Sequence, residues 1–254
     1  MLIPPASADA LPEILLIGPG RLGRSLRDRL VALGQPVRLI GRGEAIPAAP
    51  LTYLTVPDAQ IATVAAQVPP GGVLLHASGA TPVEALAPHP CAGSLHPLMS
   101  FPGPERAPWP TGLLPAAVDG HPAACAAATA LAWRLGMTPF TVQGDRRLYH
   151  AAAVLSGNFA IGLLAAGARL LGCLGVPAEE APRLLLPLAA ASLENAARIG
   201  PAAALTGPVA RGDLAVLAGH RAAIGEGAPE LLPLYEALLD WTQQALRPTS
   251  VKAD

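Results

Sequence analysis

The phrase Ile-Leu-Leu-Ile-Gly-Pro-Gly-Arg-Leu-Gly over residues 14–23 sets Gly18, Gly20 and Gly23 at a spacing that lets main-chain amides close on a phosphate. Gly18 lets the chain turn sharply, Gly20 removes the Cβ that would hold a diphosphate away, and Gly23 lets a helix lie close to the preceding strand. Free N–H groups in the first turn of that helix then face the anion, with Pro19, Arg21 and Leu22 completing the turn. The chemistry implied is the capture of a dinucleotide such as NAD(P). Gly41-Arg42-Gly43 stands where an NAD site places a carboxylate for the ribose. A cation there suits a 2′-phosphate, so NADP(H) is expected ahead of NAD(H), the simpler alternative being a solvated loop arginine. Thr55, Val56 and Pro57 are expected to line the dinucleotide with their backbone. Asp58 either joins them or caps the next helix, and Ser78-Gly79 is expected on the nicotinamide side.

Acid–base groups recur at three further places. Arg147-Leu148-Tyr149-His150 precedes Ser156-Gly157-Asn158 by two helical turns in an otherwise apolar stretch, where a buried polar group needs a partner. An imidazole there can move a proton near neutrality, and an amide can orient a substrate, so His150 and Asn158 are the catalytic candidates and Ser156 a substrate contact. Satisfied hydrogen bonds between helices explain the same residues without catalysis. His96, in Gly93-Ser94-Leu95-His96-Pro97, falls just past a strand end and is a substrate-side candidate, or a solvated loop histidine. Arg211, in Thr206-Gly207-Pro208 through Asp213, can bind a substrate carboxylate; the same turn also reads as fold punctuation at a dimer interface.

Alternating elements must position these groups. Strands are predicted at 14–17, 37–40, 51–56, 73–76, 94–96, 116–118 and 138–142, with helices over 21–33, after Asp58, after a capping box at Thr81-Pro82-Val83-Glu84, and over 123–135. That alternation predicts an α/β fold, a Rossmann-type, mostly parallel sheet over residues 10–144. Strand signals end at Asp145, and 145–248 reads as a second, all-helical domain. Its first helix, about 148–174, is apolar nearly all round and is read as buried, most easily against a second subunit, giving a homodimer through the helical domain. Pro182 and Pro187 are expected to kink or split the next helix, Asp213 to cap another, and residues 248–254 to form a frayed tail.

The 254 residues accommodate two such cores. A net charge of -1 with only 14% charged residues argues against nucleic acid as a partner. Three widely spaced cysteines fit reduced core thiols better than disulfides or a metal site, no export signal is visible, and a cytoplasmic protein is expected. A mean hydropathy of +0.42 raises a membrane reading for 151–176, but Asn158, Arg169 and several glycines interrupt that stretch.

Together, Gly18-Pro19-Gly20-Arg21-Leu22-Gly23, Ser94-Leu95-His96-Pro97, Tyr149-His150 with Ser156-Gly157-Asn158, and Thr206-Gly207-Pro208 with Arg211-Gly212-Asp213 and His220 resemble a family of two-domain proteins. In that family a Rossmann-like domain precedes a helical domain of unassigned function. It is related to pyrroline-5-carboxylate reductase and more distantly to 6-phosphogluconate and prephenate dehydrogenases. The resemblance spans nearly the whole chain and implies a nicotinamide-dependent oxidoreductase, dimeric through its helical domain, with its site between the domains. The hydroxyacid branch uses a lysine on the first helix of the second domain, whereas the only lysine here is Lys252. The expected activity is hydride transfer between NADP(H) and a small carbonyl or imine. The alternatives are an NADP(H)-binding sensor or scaffold and a deazaflavin-linked NADP oxidoreductase.

Overall fold

The structure, a computed structural model, describes residues 11–246. Its chain groups by internal packing into two compact units, one ending at Gly157 and one beginning at Asn158. In the first unit, β1 (Ile14–Ile17) leads through the glycine turn into α1 (Arg21–Ala32), followed by β2 (Val37–Ile40) and β3 (Leu51–Leu54). Then come α2 (Ile61–Ala65), β4 (Val73–His76), β5 (Ala92–Pro97), β6 (Pro115–Gly120), α3 (Pro122–Leu135), β7 (Thr138–Thr141) and α4 (Arg146–Ser156). The seven strands form one sheet in the order β2-β1-β3-β4-β5-β6-β7. Every neighbouring pair is parallel except β5 and β6.

Strands covered on both faces read as unbroken apolar runs. Ile14, Leu16, Leu51 and Tyr53 pack with α1 and α3 on one face, while Leu15, Ile17 and Leu54 meet α2 on the other. The alternation follows from the two-residue period of a strand. Each fully buried Leu or Ile contributes roughly 1.5–3 kcal/mol. The first five strands therefore bring their carboxyl ends to one edge, where Gly18, Thr55, Ser78 and His96 lie. Residues 98–114 leave that edge and return to it: Leu98 N–H donates to Pro115 C=O at 2.8 Å. Between those ends Phe101 packs on Trp109 with ring centroids 5.4 Å apart, and Glu105 pairs with Arg24 of α1 at 2.9 Å.

Several expectations need correction. The Thr81 capping box does not form: Val83–Leu86 is a short 3-10 helix without a side-chain cap, and the Thr81 amide donates to the Ser78 hydroxyl at 2.9 Å instead. Asp58 opens a 3-10 turn without capping it, because its carboxylate is taken by the Ser78 hydroxyl at 2.7 Å. The helix expected over 148–174 starts earlier, capped by Asp145, whose carboxylate accepts from Arg147 N–H at 2.8 Å, and it breaks at Gly157. The boundary between units lies at that break, one helix later than the end of the strand pattern, because α4 packs with the first unit.

The second unit comprises α5 (Asn158–Cys173), α6 (Ala181–Ile199), α7 (Pro201–Ala204), α8 (Gly207–Arg211), α9 (Leu214–Gly227) and α10 (Leu232–Ala245). Pro182 sits in the first turn of α6, where a missing N–H costs nothing, and Pro187 is accommodated inside an unbroken helix. The carbonyl that Pro187 leaves without its helical donor belongs to Arg183, which is exposed, so water can serve it. Asp213 caps α9, accepting from Val216 N–H at 3.2 Å. Arg221 grips Glu236 through two contacts of 2.6 and 3.0 Å. The reading of 148–174 as buried is not met within this chain: α5 contains no buried residue, and Phe159, Ile161, Leu184 and Leu188 are exposed. Residues 146–173 are long and apolar enough, by length and composition alone, to cross a membrane. Cys173 is likewise exposed, while Cys91 and Cys125 are half-buried. The tail expected at 248–254 lies outside the described residues.

Candidate functional site

Two groups of residues at the carboxyl edge of the sheet have the makings of a site. The first is the glycine turn. Gly18 adopts φ +116°, and a Cβ there would stand 2.8 Å from the Thr55 carbonyl. A Cβ on Gly23 would lie 2.0 Å from the Gly18 oxygen, so both glycines are required for the chain to close. Gly20 differs: its missing Cβ would meet only the Thr55 oxygen, at 3.9 Å, and the space is left to a ligand. The Thr55 hydroxyl donates to Gly18 C=O at 2.8 Å and ties the turn to β3. Beside it opens a cavity of about 380 Å³ whose lining includes Gly18, Pro19, Gly20, Arg42, Thr55, Val56 and Pro57. A helix start with no acidic residue in its first turn, a glycine that leaves room and an exposed arginine fit the diphosphate and 2′-phosphate of a dinucleotide.

Arg21 and Leu22 do not line this cavity; Arg21 is exposed and Leu22 packs on the core. The carboxylate sought after β2 occurs as Glu44, three residues beyond Gly41. It accepts from Gly41 N–H at 2.7 Å and so braces its own loop. Composition of the Gly41-Arg42-Gly43 turn hides this, because the acid's partner is a main-chain amide.

The second group surrounds the ends of β4 and β5. The His96 Nδ1 shares a 2.6 Å hydrogen bond with the Tyr149 hydroxyl of α4. The His96 and His150 rings stand edge to face, with centroids 6.2 Å apart. Both rings close on Gly79, where a Cβ would lie 2.8 Å from His150 Cδ2 and 2.9 Å from His96 Nε2. Burial, with His150 and Arg146 beside it, pushes the His96 pKa down to about 4, so the ring is neutral near pH 7. Burial likewise raises Tyr149 to about 12.

Behind this surface lies a polar row. His76 and Ser94 are register partners on β4 and β5, and Ser94 is paired in turn with Asp119 on β6. Ser78 N–H donates to His76 Nδ1 at 3.2 Å, which leaves the ring proton on Nε2, buried and without a partner. Burial and the nearby Arg146 lower the His76 pKa to about 4. Arg146, only 7% exposed, donates to Ser78 C=O at 2.9 Å and contacts Asp119 Oδ2 at 3.3 Å.

The structure thus brings Gly18, Pro19, Gly20, Arg42, Thr55, Val56 and Pro57 together, and separately brings Gly79, His96 and His150 together beside Ser78. Ser156 lies exposed at the far end of α4. Asn158 opens α5 in the other unit and is also exposed, so neither is the buried polar group its sequence setting suggested. Arg211 lines a hollow of about 450 Å³ within the second unit, with Leu205, Thr242 and Gln243. The sequence names Tyr149 only as part of the Tyr149-His150 phrase, without a role, and gives Arg146 and Asp119 none. Helical spacing marks Arg146 as the neighbour of Tyr149 at i+3 and of His150 at i+4, but Asp119 gives no local signal.

Comparison with known proteins supports the architecture. A protein from Thermotoga maritima aligns over 92% of this chain and 98% of its own, with a TM-score of 0.72 and 23% identity. A Bacteroides fragilis protein described as a candidate NADP oxidoreductase gives a TM-score of 0.75 at 21% identity, covering 92% of this chain and 98% of that one. A reductive aminase from Aspergillus terreus, crystallised with NADPH and ethyl levulinate, gives 0.62 at 18% identity over 93% and 95% of the two chains. No curated protein sequence matches. The sequence pattern described as a domain of unknown function, DUF2520, matches residues 114–242, just over half of the chain, and with it the protein belongs to the DUF2520 family.

Proposed function

We propose that this protein is an NADP(H)-dependent oxidoreductase acting on a small carbonyl or imine compound. The observation that carries the reading is the Tyr149–His96 pair, closed on Gly79 at the same sheet edge as the glycine turn. Its likeness in fold to an NADP oxidoreductase and a reductive aminase supports the same reading. The bound nicotinamide would supply or accept the hydride, and the chain's residues do the rest. The amides at the start of α1 hold the diphosphate, and Arg42 pairs with the 2′-phosphate. Gly79 keeps the approach to His96 Nε2 clear of a side chain. With the phenol donating to Nδ1, Nε2 bears the ring proton; Nε2 gives it to the substrate's oxygen or nitrogen as the carbon takes the hydride, Nδ1 takes the phenol proton in the same step, and His150 stands beside them as the second proton-handling candidate. Water restores that proton. On sequence grounds alone, Asn158 stands as a proposed catalytic residue that orients the substrate, and Ser156 and Arg211 as proposed substrate contacts.

Calorimetry with NADPH and NADH, followed by turnover assays with keto acids, aldehydes and imines, tests the reading. NADPH binding is expected to be the tighter. Replacing Arg42 with Asp removes a charge-assisted contact worth about 1.5–3 kcal/mol, so NADPH should weaken by at least roughly tenfold while NADH changes little. Equal effects on the two coenzymes overturn the role of Arg42. NADPH binding without turnover of any substrate class favours a sensor, and absence of binding to either coenzyme removes the proposal.

A further inference from the structure

We propose that Arg146 is a positioning residue for the Tyr149–His96 pair, holding α4 against the turn after β4 and against β6 so that the phenol meets the imidazole. The inference rests on the reading of that pair as the proton-handling group. Arg146, Tyr149 and His150 are spaced i, i+3 and i+4 and therefore share one face of α4. The guanidinium divides its donors between two elements, Nη2 reaching Ser78 C=O at 2.9 Å and Nη1 reaching Asp119 Oδ2 at 3.3 Å. A planar fork can serve two such directions at once, whereas an ammonium offers a point charge.

The anchor on the other side is equally constrained. Ser78 N–H donates to His76 Nδ1, its hydroxyl donates to Asp58 and accepts from the amides of Ala80 and Thr81, and its carbonyl receives Arg146. Gly79, between these bonds, is the backbone on which the His96 and His150 rings rest. Fixing Ser78 and the start of α4 to each other therefore fixes both walls of the pair. A bare fold staple would not need a cation buried beside two imidazoles, since its charge opposes their protonation. The charged and titratable groups facing His96 are Tyr149, Arg146 and His150 from α4, His76 from β4 and Asp58 after β3. Arg146 is thus the fixed positive charge among them.

The test compares Arg146→Met and Arg146→Lys with Arg147→Ala, a neighbour whose guanidinium is exposed and pairs only with Asp145 among the described residues. Two quantities are read on the full chain: kcat and KM with NADPH, and the titration of the His96 ring followed by NMR. In Arg146→Met the pair drifts apart and kcat is expected to fall about a hundredfold with KM for NADPH unchanged, as for a displacement near 1 Å. The His96 titration should move upward, Arg146→Lys should recover part of both effects, and Arg147→Ala should match the parent. A folded Arg146→Met protein with parent-like turnover and titration overturns the proposal. So does lost turnover with an unmoved His96 titration, which would mean a purely structural staple. Should Arg146→Met not fold, Arg146→Lys decides by the same two readouts. The NMR measurement needs neither substrate nor coenzyme, so an unmoved His96 titration in Arg146→Met overturns this inference while the oxidoreductase reading stands, whereas a parent protein without turnover removes that reading and this inference with it.

Discussion

Tyr149 and His96 come from a helix and a strand end that lie far apart in the chain, yet a single 2.6 Å contact joins them. Replacing Tyr149 with Phe leaves the ring's packing and removes only the hydroxyl. If the pair handles the proton, kcat should drop by roughly 10²–10⁴-fold with NADPH affinity retained, as steady-state kinetics and calorimetry would register. His76 makes a different prediction. Its native pKa of about 4 lies below the ordinary 6.5, so between those values the unfolded chain binds a proton that the native chain refuses. Stability is therefore complete above about pH 6.5 and declines as the pH falls toward 4, by on the order of 3 kcal/mol for this group. Denaturant melts at several pH values should show the decline. His96, lowered to the same value, adds to the decline, so a His76→Asn variant, which keeps an acceptor for Ser78 N–H, should make it shallower without abolishing it; a profile identical to the parent's assigns the effect to His96 and the carboxylates instead. At this scale the sequence was legible where a residue's place follows from its element. His96 could be singled out because it ends a strand, and Arg42 because it follows β2. Arg146 carries no sequence signal of its role, because the partners that make its burial possible, Ser78 C=O and Asp119, lie far along the chain and only the fold supplies them.

The elements divide the glycines of the phosphate turn by task, and the division can be measured. Gly23→Ala forces a Cβ to 2.0 Å from the Gly18 oxygen and should cost several kcal/mol, seen as a large loss in Tm. Gly20→Ala meets nothing closer than 3.9 Å, so Tm should hold while NADPH affinity falls, because the methyl group occupies the diphosphate's approach. A Gly20→Ala protein that binds NADPH like the parent would contradict the assignment of that space. Strands and helices of the first unit could be read from sequence because burial on both faces writes continuous apolar runs between turn residues. Two features could not. The Thr81 capping box failed because Ser78 captured the amide first, a competition between neighbours that no local pattern encodes. The break at Gly157 falls in Ser156-Gly157-Asn158, three weak helix formers set between long apolar runs, and the packing of α4 with the first unit separates it from α5.

For the whole molecule, the informative feature is apolar surface without cover. Ile161 is 66% and Leu188 68% exposed on α5 and α6, two helices that pack on each other within the second unit. Isolated chains rarely present such a face, so a homodimer through these helices is expected. Sedimentation at micromolar concentration should find dimers, and Ile161→Glu with Leu188→Glu should yield monomers; a stable parent monomer defeats the idea. Composition marks these helices as apolar without saying what covers them, since burial against another chain leaves the same signature as burial within one. A last consequence follows from the reversed direction of β6. Since residues 98–114 begin and finish at one hydrogen-bonded gateway between Leu98 and Pro115, the exposed positions 111–113 can change in number and kind without shifting the register of a single strand, while Phe101, Trp109 and Leu114 stay held by the core. Changes there would reshape the rim of the sheet's carboxyl edge while the frame beneath stays the same.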